Sequence, residues 1–451
     1  MQITDQGHKH LGAALGAEAY KEGYVEKQVE EWVYEIRELA KIAEIDPHSA
    51  YAALIHGLRH TWTFPMRTLP NIATQLQALE NELRNTLIPA LTGHQCSENE
   101  RELLSLPPRL GGLGIINPAE SADMEFNNSS QLTSQLQDLI ISQNSQGQID
   151  KTYLAKQKQD ISHRRLAQQQ EKLQKVKQGM LLDETKLRLL EASCEKGASN
   201  WLSCLPLKAE GFSLNKQEFQ DSICIRYGWP LKHLPSRCPC GNEFTIHHAM
   251  SCKLGGFVHY RHNEVRDVTG TLLKEVCTDV SIEPMLIPLT GEKMKYKTAN
   301  TANDARLDIS ARGFWVRGQR AFYDVRIFDS TAPRQLTKPL SDIHKQHEQE
   351  KRRVYNQRIL EVEQGTFTPL VFTIQGGMSQ ECQKFYSRLG TLLRKKRNET
   401  KSTTTAWMRT RISFSLLRSA LLCVRGSRTT AQMSDTRDIN FDLTSEEAKL
   451  K

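Results

Sequence analysis

Cys238, Cys240, His248 and Cys252 follow the spacing Cys-x-Cys-x(7)-His-x(3)-Cys. Thiolates and imidazoles are the ligands of tetrahedral zinc, and four of them close a structural site. Pro239 and Gly241 shape the tight loop around the first pair. His248 and Cys252 lie four residues apart, so one helical turn brings both to the same face. His247 is the competing imidazole, and the i, i+4 spacing to Cys252 selects His248. The chain has 10 cysteines, and only these three cluster. Its first residues, Met1-Gln2-Ile3-Thr4-Asp5, have no apolar leader core. Cysteine and histidine clustered in an intracellular chain with reduced thiols read as a metal site rather than a disulfide.

A second constellation is acidic. Asp308 sits in Arg306-Leu307-Asp308-Ile309, and Asp324 in Phe322-Tyr323-Asp324-Val325-Arg326-Ile327-Phe328. Two neighbouring strands that each offer one Asp make a site for a hard divalent ion such as Mg2+. That ion would polarise a phosphoryl oxygen and supply hydroxide near neutral pH. Glu264 and Asp267 are the candidates for a third acid, from the preceding helix. Arg326 shares the face of Asp324 because strand side chains alternate. A guanidinium does not deprotonate, so Arg326 cannot serve as a base. Lys351, on the long helix that follows, is the better amine.

These residues need elements to hold them. Val25, Val29, Trp32, Val33, Ile36, Leu39, Ala40 and Ala43 form one helical stripe over 17–45, stopped by Pro47. A second helix is predicted over 48–61, before Pro65, and a third carries Ile72, Leu76, Leu79, Leu83 and Leu87 to about Pro89. Arg109-Leu110-Gly111-Gly112-Leu113-Gly114, flanked by prolines, reads as a structural turn rather than a phosphate cradle. Residues 126–185 are rich in Gln, Ser and Lys, as in a long solvated helix. Beyond the cysteine cluster the rhythm changes. A helix is predicted over 257–277, short strands over 285–288, 305–310, 321–328 and 369–374, and a long helix over 339–364. Strands and helices in that order predict an α/β domain.

With 451 residues, the chain is long enough for several domains. Its net charge is +8, and the basic residues concentrate late: Arg394-Lys395-Lys396-Arg397, then Lys401, Arg409, Arg411, Arg418, Arg425 and Arg428. Such a field suits phosphate backbones. No apolar run reaches the length of a membrane span. An intracellular location is expected, and Arg394-Lys395-Lys396-Arg397 would serve as a nuclear import signal.

Three groups of motifs carry a resemblance. Arg237-Cys238-Pro239-Cys240-Gly241, His248-Ala249-Met250-Ser251-Cys252, Gly255-Gly256-Phe257 and Arg261-His262-Asn263 resemble the zinc knuckle of LINE-type (non-LTR) retrotransposon proteins with a restriction-like endonuclease. Arg306-Leu307-Asp308, Asp324-Val325-Arg326 and Lys351-Arg352-Arg353-Val354-Tyr355 resemble, in order, the motifs of that PD-(D/E)xK-type nuclease. His8-Lys9-His10-Leu11-Gly12, the helices after it, and 106–115 are similar to a reverse-transcriptase thumb and its closing segment. Leu307 and Arg326 stand where the family has proline and lysine, and Lys351 would then supply the amine. No Asp-Asp pair occurs, and the chain starts beyond the polymerase catalytic region, so no polymerase activity is expected from it.

The resemblance implies a multidomain chain. An all-α thumb-like domain would cover 1–125, a helical polar linker 126–200 and a zinc-knuckle region 201–256. An α/β restriction-endonuclease-like domain would cover 257–426, and a disordered tail 427–451. It implies Mg2+-dependent hydrolysis of a DNA phosphodiester, with Asp308 and Asp324 on the metal. Glu264, Arg326 and Lys351 would assist. Structural zinc and catalytic magnesium are the implied cofactors. Target DNA and element RNA are the implied partners. A nucleic-acid-binding fragment without cleavage is the alternative.

Overall fold

The computed structural model describes residues 6–143 and 147–428; most of the expected tail, 429–451, lies outside the described residues. The chain is mostly helical with a small mixed sheet. It separates into two compact units, one of residues 1–182 and 214–220, the other of 183–213 and 221–451.

The first unit opens with a hairpin, β1 (Gly7–His10) and β2 (Ala13–Gly16), paired antiparallel. Its two-residue turn, Leu11-Gly12, takes positive φ at both positions, the combination that matches the strand twist of tight hairpins. Helix α1 (Glu18–Ala43) buries Val25, Val29, Trp32, Ile36, Leu39, Ala40 and Ala43, the stripe expected of it. Helices α2 (Pro47–Ala53) and α3 (Arg59–Thr68) are joined by a π turn, Leu54–Leu58. The predicted stop before Pro65 does not occur, because α3 runs through that proline to Thr68. Helix α4 (Gln77–Glu82) likewise passes through a π turn, Leu83–Leu87, into α5 (Ile88–Thr92). Pro89 falls in the first turn of α5, where its missing N–H costs least. The glycine segment after α6 (Glu98–Ser105) is the expected turn. A Cβ on Gly112 would lie 1.9 Å from the Leu106 carbonyl oxygen, so only glycine fits there.

The polar stretch 126–182 is not one free helix. Helix α7 (Pro118–Ile141) packs on α3 and α4, and α8 (Lys151–Gln178) packs on α6 and α7. Arg165 and Arg67 both bind Glu125, and Lys172 binds Glu102 and Glu120. Ion pairs supplement the few buried apolar residues of α8, Ile161, Leu173 and Val176, which is why hydropathy alone reads these helices as solvated.

In the second unit a four-stranded sheet has the order β3 (Thr278–Ile282), β4 (Ile309–Arg312), β5 (Arg320–Phe328), β6 (Thr366–Thr373). The first two pairings are antiparallel and the last is parallel. Helix α13 (Leu340–Glu361) makes the crossover between β5 and β6. Ala321, Tyr323 and Val325 of β5 pack with α12 (Phe257–Val276), α14 (Gln380–Arg397) and α15 (Lys401–Arg425). The alternate residues Phe322 and Phe328 pack toward α13, on Ile359 and on Leu340 and Ile343. A strand covered on both faces reads as a nearly continuous apolar run. Asp324 interrupts that run. The predicted strand at 285–288 reduces to a single bridge, Met285 to Arg306, and β3 occupies the edge instead. A shift of register between Thr278 and Ser281 leaves β3 without a clean alternation to predict from.

Candidate metal centre and candidate active site

The cysteine cluster is built by two local devices. Arg237 and Glu243 bridge antiparallel around a tight loop, and Cys238 N–H donates to the Asn242 carbonyl at 2.9 Å. Gly241, at φ 93°, turns the chain between them. Helix α11 (Ile246–Ser251) then starts on Thr245, whose hydroxyl accepts from His248 N–H at 3.0 Å. One helical turn places His248 beside Cys252.

The ligand atoms of Cys238, Cys240, His248 and Cys252 all lie within 4.8 Å of one another. Cys238 Sγ is 3.9 Å from Cys252 Sγ, and Cys240 Sγ is 3.3 Å from His248 Nε2. Tetrahedral zinc with bonds near 2.3 Å wants ligand separations of about 3.8 Å, so this donor set fits zinc. His247 is engaged elsewhere: its Nδ1 lies 2.5 Å from Asp329 Oδ2, at the end of β5. The hydrogen bond to that carboxylate holds the imidazole above its ordinary pKa, against burial. The cluster is no separate bead. Cys238, Phe244, Ala249, Met250 and Cys252 share one core with Ala420, Leu421, Cys423 and Val424 of α15.

The acidic constellation assembles at one end of the sheet. Ile309 pairs with Tyr323, so one further step of that antiparallel register sets Asp308 opposite Asp324. Asp308 Oδ2 accepts from Val325 N–H at 2.6 Å. Asp324 is buried, 5% exposed, and Lys351 Nζ of α13 reaches its Oδ2 at 2.6 Å. That contact is an ion pair without good hydrogen-bond direction. Burial pushes the Asp324 carboxyl up to about 6; Lys351 opposes this and the Asp308 charge adds to it. Burial would lower the Lys351 ammonium, yet Asp324 raises it above its ordinary value. Tyr355, one turn further along α13, holds its ring 6.0 Å from Lys351 Nζ.

The other expected site residues are not drawn in. Glu264 bonds to Tyr260 and lies in the fields of Asp267 and Arg418; burial raises its pKa, and neither Asp308 nor Asp324 contributes to that shift. Two positions along a helix from His262, its side chain leaves on nearly the opposite face. Asp267 pairs with Arg266 at 2.7 Å. Arg326 is exposed, and after burial its charge is the largest influence lowering the His347 imidazole. Among the described residues, the Cys-His cluster alone brings three or more His, Cys, Asp or Glu ligand atoms within 4.8 Å.

Sequence reasoning missed one participant. His262 Nε2 of α12 lies 3.0 Å from Asp308 Oδ2 and 3.1 Å from the Val325 carbonyl oxygen. Burial would lower its imidazole, but Asp308 keeps the pKa above the usual value. The only signal was its presence in Arg261-His262-Asn263. Arg261 is itself buried and donates to the Met250 carbonyl at 3.1 Å, fixing that turn of α12 against α11.

The late basic run is also thinner than its composition. Arg425 pairs with Asp221, Arg428 is buried with donors on the Ala249 and Cys423 carbonyls, and Arg418 donates to the Ser213 carbonyl. Arg397 is held by Glu275 and stacks 3.9 Å from the Trp407 ring centroid. Arg394, Lys395, Lys396 and Lys401 stay exposed. Among the described residues no helix is long and apolar enough to cross a membrane. No protein-family model matches this chain, and no curated protein matches it in sequence.

Proposed function

We propose that this chain is the C-terminal part of a LINE-type retrotransposon protein whose second unit is a divalent-metal DNA endonuclease with a zinc knuckle. One observation carries the reading: Asp308, Asp324 and Lys351, far apart in sequence, come together across β4, β5 and α13 with Asp324 buried. Burying a carboxylate is costly unless a cation meets it. A Mg2+ ion held there would activate a water and polarise the scissile phosphoryl group. Asp308 and Asp324 would hold the ion. Lys351, kept as an ammonium by Asp324, would steady the phosphate or orient the water as a point charge. Strand cleavage would leave a 3′-hydroxyl to prime reverse transcription. The first unit would be the thumb of the polymerase, and the knuckle with the exposed lysines and arginines of α14 and α15 would hold DNA or element RNA. Arg394, Lys395 and Lys396 would also direct nuclear import.

A second reading, nucleic-acid binding without cleavage, is favoured by the Lys351 contact on Asp324, which occupies one of the carboxylate oxygens a metal would use. Plasmid nicking with Mg2+ or Mn2+ separates the two. The endonuclease reading expects Asp308→Ala and Asp324→Ala each to abolish nicking while DNA binding persists. Equal nicking by wild type and Asp324→Ala refutes it.

A further inference from the structure

The geometry points to His262 as a direct ligand of the catalytic ion, which makes the site a mixed nitrogen–oxygen centre selective for Mn2+ over Mg2+. The inference rests on the endonuclease reading of Asp308 and Asp324.

Three electron-rich atoms converge at this point of the sheet. His262 Nε2 lies 3.0 Å from Asp308 Oδ2 and 3.1 Å from the Val325 carbonyl oxygen. The other ring nitrogen, Nδ1, is 3.3 Å from Asn263 Oδ1, the side-chain carbonyl of the next residue. An Nδ1–H donated to that oxygen leaves Nε2 as a lone pair. A metal-bound histidine uses its second nitrogen in just such an outer contact, which fixes ring and tautomer. Two acceptors then face Nε2, so a cation must sit between them, either a proton on the ring or a metal ion, and the resonance measurement tells the two apart. For an octahedral ion with bonds near 2.1 Å, neighbouring ligands stand about 3.0 Å apart, the spacing of both pairs measured here. The ring is within reach of solvent, with 32% of its side chain exposed, so an ion can enter.

The ligand types decide the metal. Carboxylate, carbonyl and water suit Mg2+ and Mn2+ alike, whereas an imidazole nitrogen adds affinity for the transition ions and little for Mg2+. Asp324, across the register from Asp308, would supply a further oxygen.

The test uses the zinc-loaded chain. Mn2+ and Mg2+ are titrated separately by calorimetry into wild type, His262→Ala, His262→Gln and Asp308→Ala, and the Mn2+ form is examined by pulsed electron paramagnetic resonance. The expected result is tighter binding of Mn2+ than Mg2+ by wild type, with a nitrogen-14 modulation on the bound Mn2+. Both His262 variants should lose the modulation. Their Mn2+ affinity should fall by at least the 10–100-fold or so that outer-shell partners cost, while Mg2+ affinity changes little. Mn2+ binding that needs Asp308 but shows no nitrogen modulation overturns the inference: the contact is then a proton bridge, and the endonuclease reading stands. Binding of neither ion, or binding indifferent to Asp308→Ala, overturns both. The wild-type resonance measurement decides the matter even if a variant fails to fold.

Discussion

At the scale of single residues, two adjacent histidines are sorted by direction alone. His248 turns toward three cysteines, and His247 toward Asp329. Elemental analysis should therefore find about one zinc per chain in wild type and in His247→Ala, and much less in His248→Ala or Cys252→Ser. The helical i, i+4 spacing made that choice legible before any coordinates. Asp308 and Asp324 were legible for a similar reason, since an acid inside an apolar strand run needs explaining. His262 was not. Its partners lie 46 and 63 residues away, and no local periodicity reports a meeting of that kind. Glu264, expected as a third acid from the same helix, lies two positions from His262, which on a helix is nearly the opposite face. A buried pair in the first unit gives a stability prediction at this scale. Arg101 holds Glu80 through two hydrogen bonds of 2.7 and 2.6 Å, both side chains almost fully buried. Arg101→Met leaves that carboxylate buried and alone, and should cost about 3–5 kcal/mol. The double change Glu80→Met with Arg101→Met should recover most of it, as read from the denaturation midpoint of that unit.

At the scale of elements, patterns with a strong period were readable and exceptions needed the structure. Helices α1, α12 and α13 begin and end within a few residues of expectation. The π turns ahead of α3 and α5 were invisible, because an inserted residue shifts the stripe without erasing it. Strand β3 was missed because its edge position leaves it half exposed. Between β5 and α13 the chain crosses a loop without regular structure. Arg188 of α9 (Glu184–Ser193) brings one nitrogen, Nη2, with its two N–H groups, among the carbonyls of Gln335, Leu336 and Lys338 at 3.2, 2.7 and 2.5 Å. This buried fork fixes the start of the helix that carries Lys351. Arg188→Met should loosen the loop, and hydrogen exchange should report faster exchange over 329–340. With charge-assisted bonds worth roughly 1.5–3 kcal/mol each, losing the fork should lower stability by several kcal/mol.

At the scale of the whole molecule, the proposed binding of nucleic acid turns on charge. With Arg418, Arg425 and Arg428 spent on carbonyls and Asp221, the exposed cations of the late basic run 394–428 reduce to Arg394, Lys395, Lys396 and Lys401. Each phosphate contact contributes about −0.9 to the slope of log K against log salt on duplex DNA. Replacing these four by Ala should flatten that slope by roughly 2–4, measured by fluorescence anisotropy at several salt concentrations. The net charge of +8 would by itself suggest a larger effect.

The core around the cysteine–histidine cluster has a practical consequence for anyone dividing this chain. A cut between residues 256 and 257, where the sequence invites a boundary, would strip Phe244, Ala249 and Met250 from the side chains of Leu421 and Val424. It would also take Met250's carbonyl from Arg261 and His247 from Asp329. The piece beginning at Phe257 would carry every proposed nuclease residue and still start with an uncovered α15. Chelating a metal held by Cys238, Cys240, His248 and Cys252 would amount to a gentler version of the same surgery. Both should be felt at the far end of β5, where Ile327 packs against the core of Cys238 and Cys252 and Asp329 meets His247.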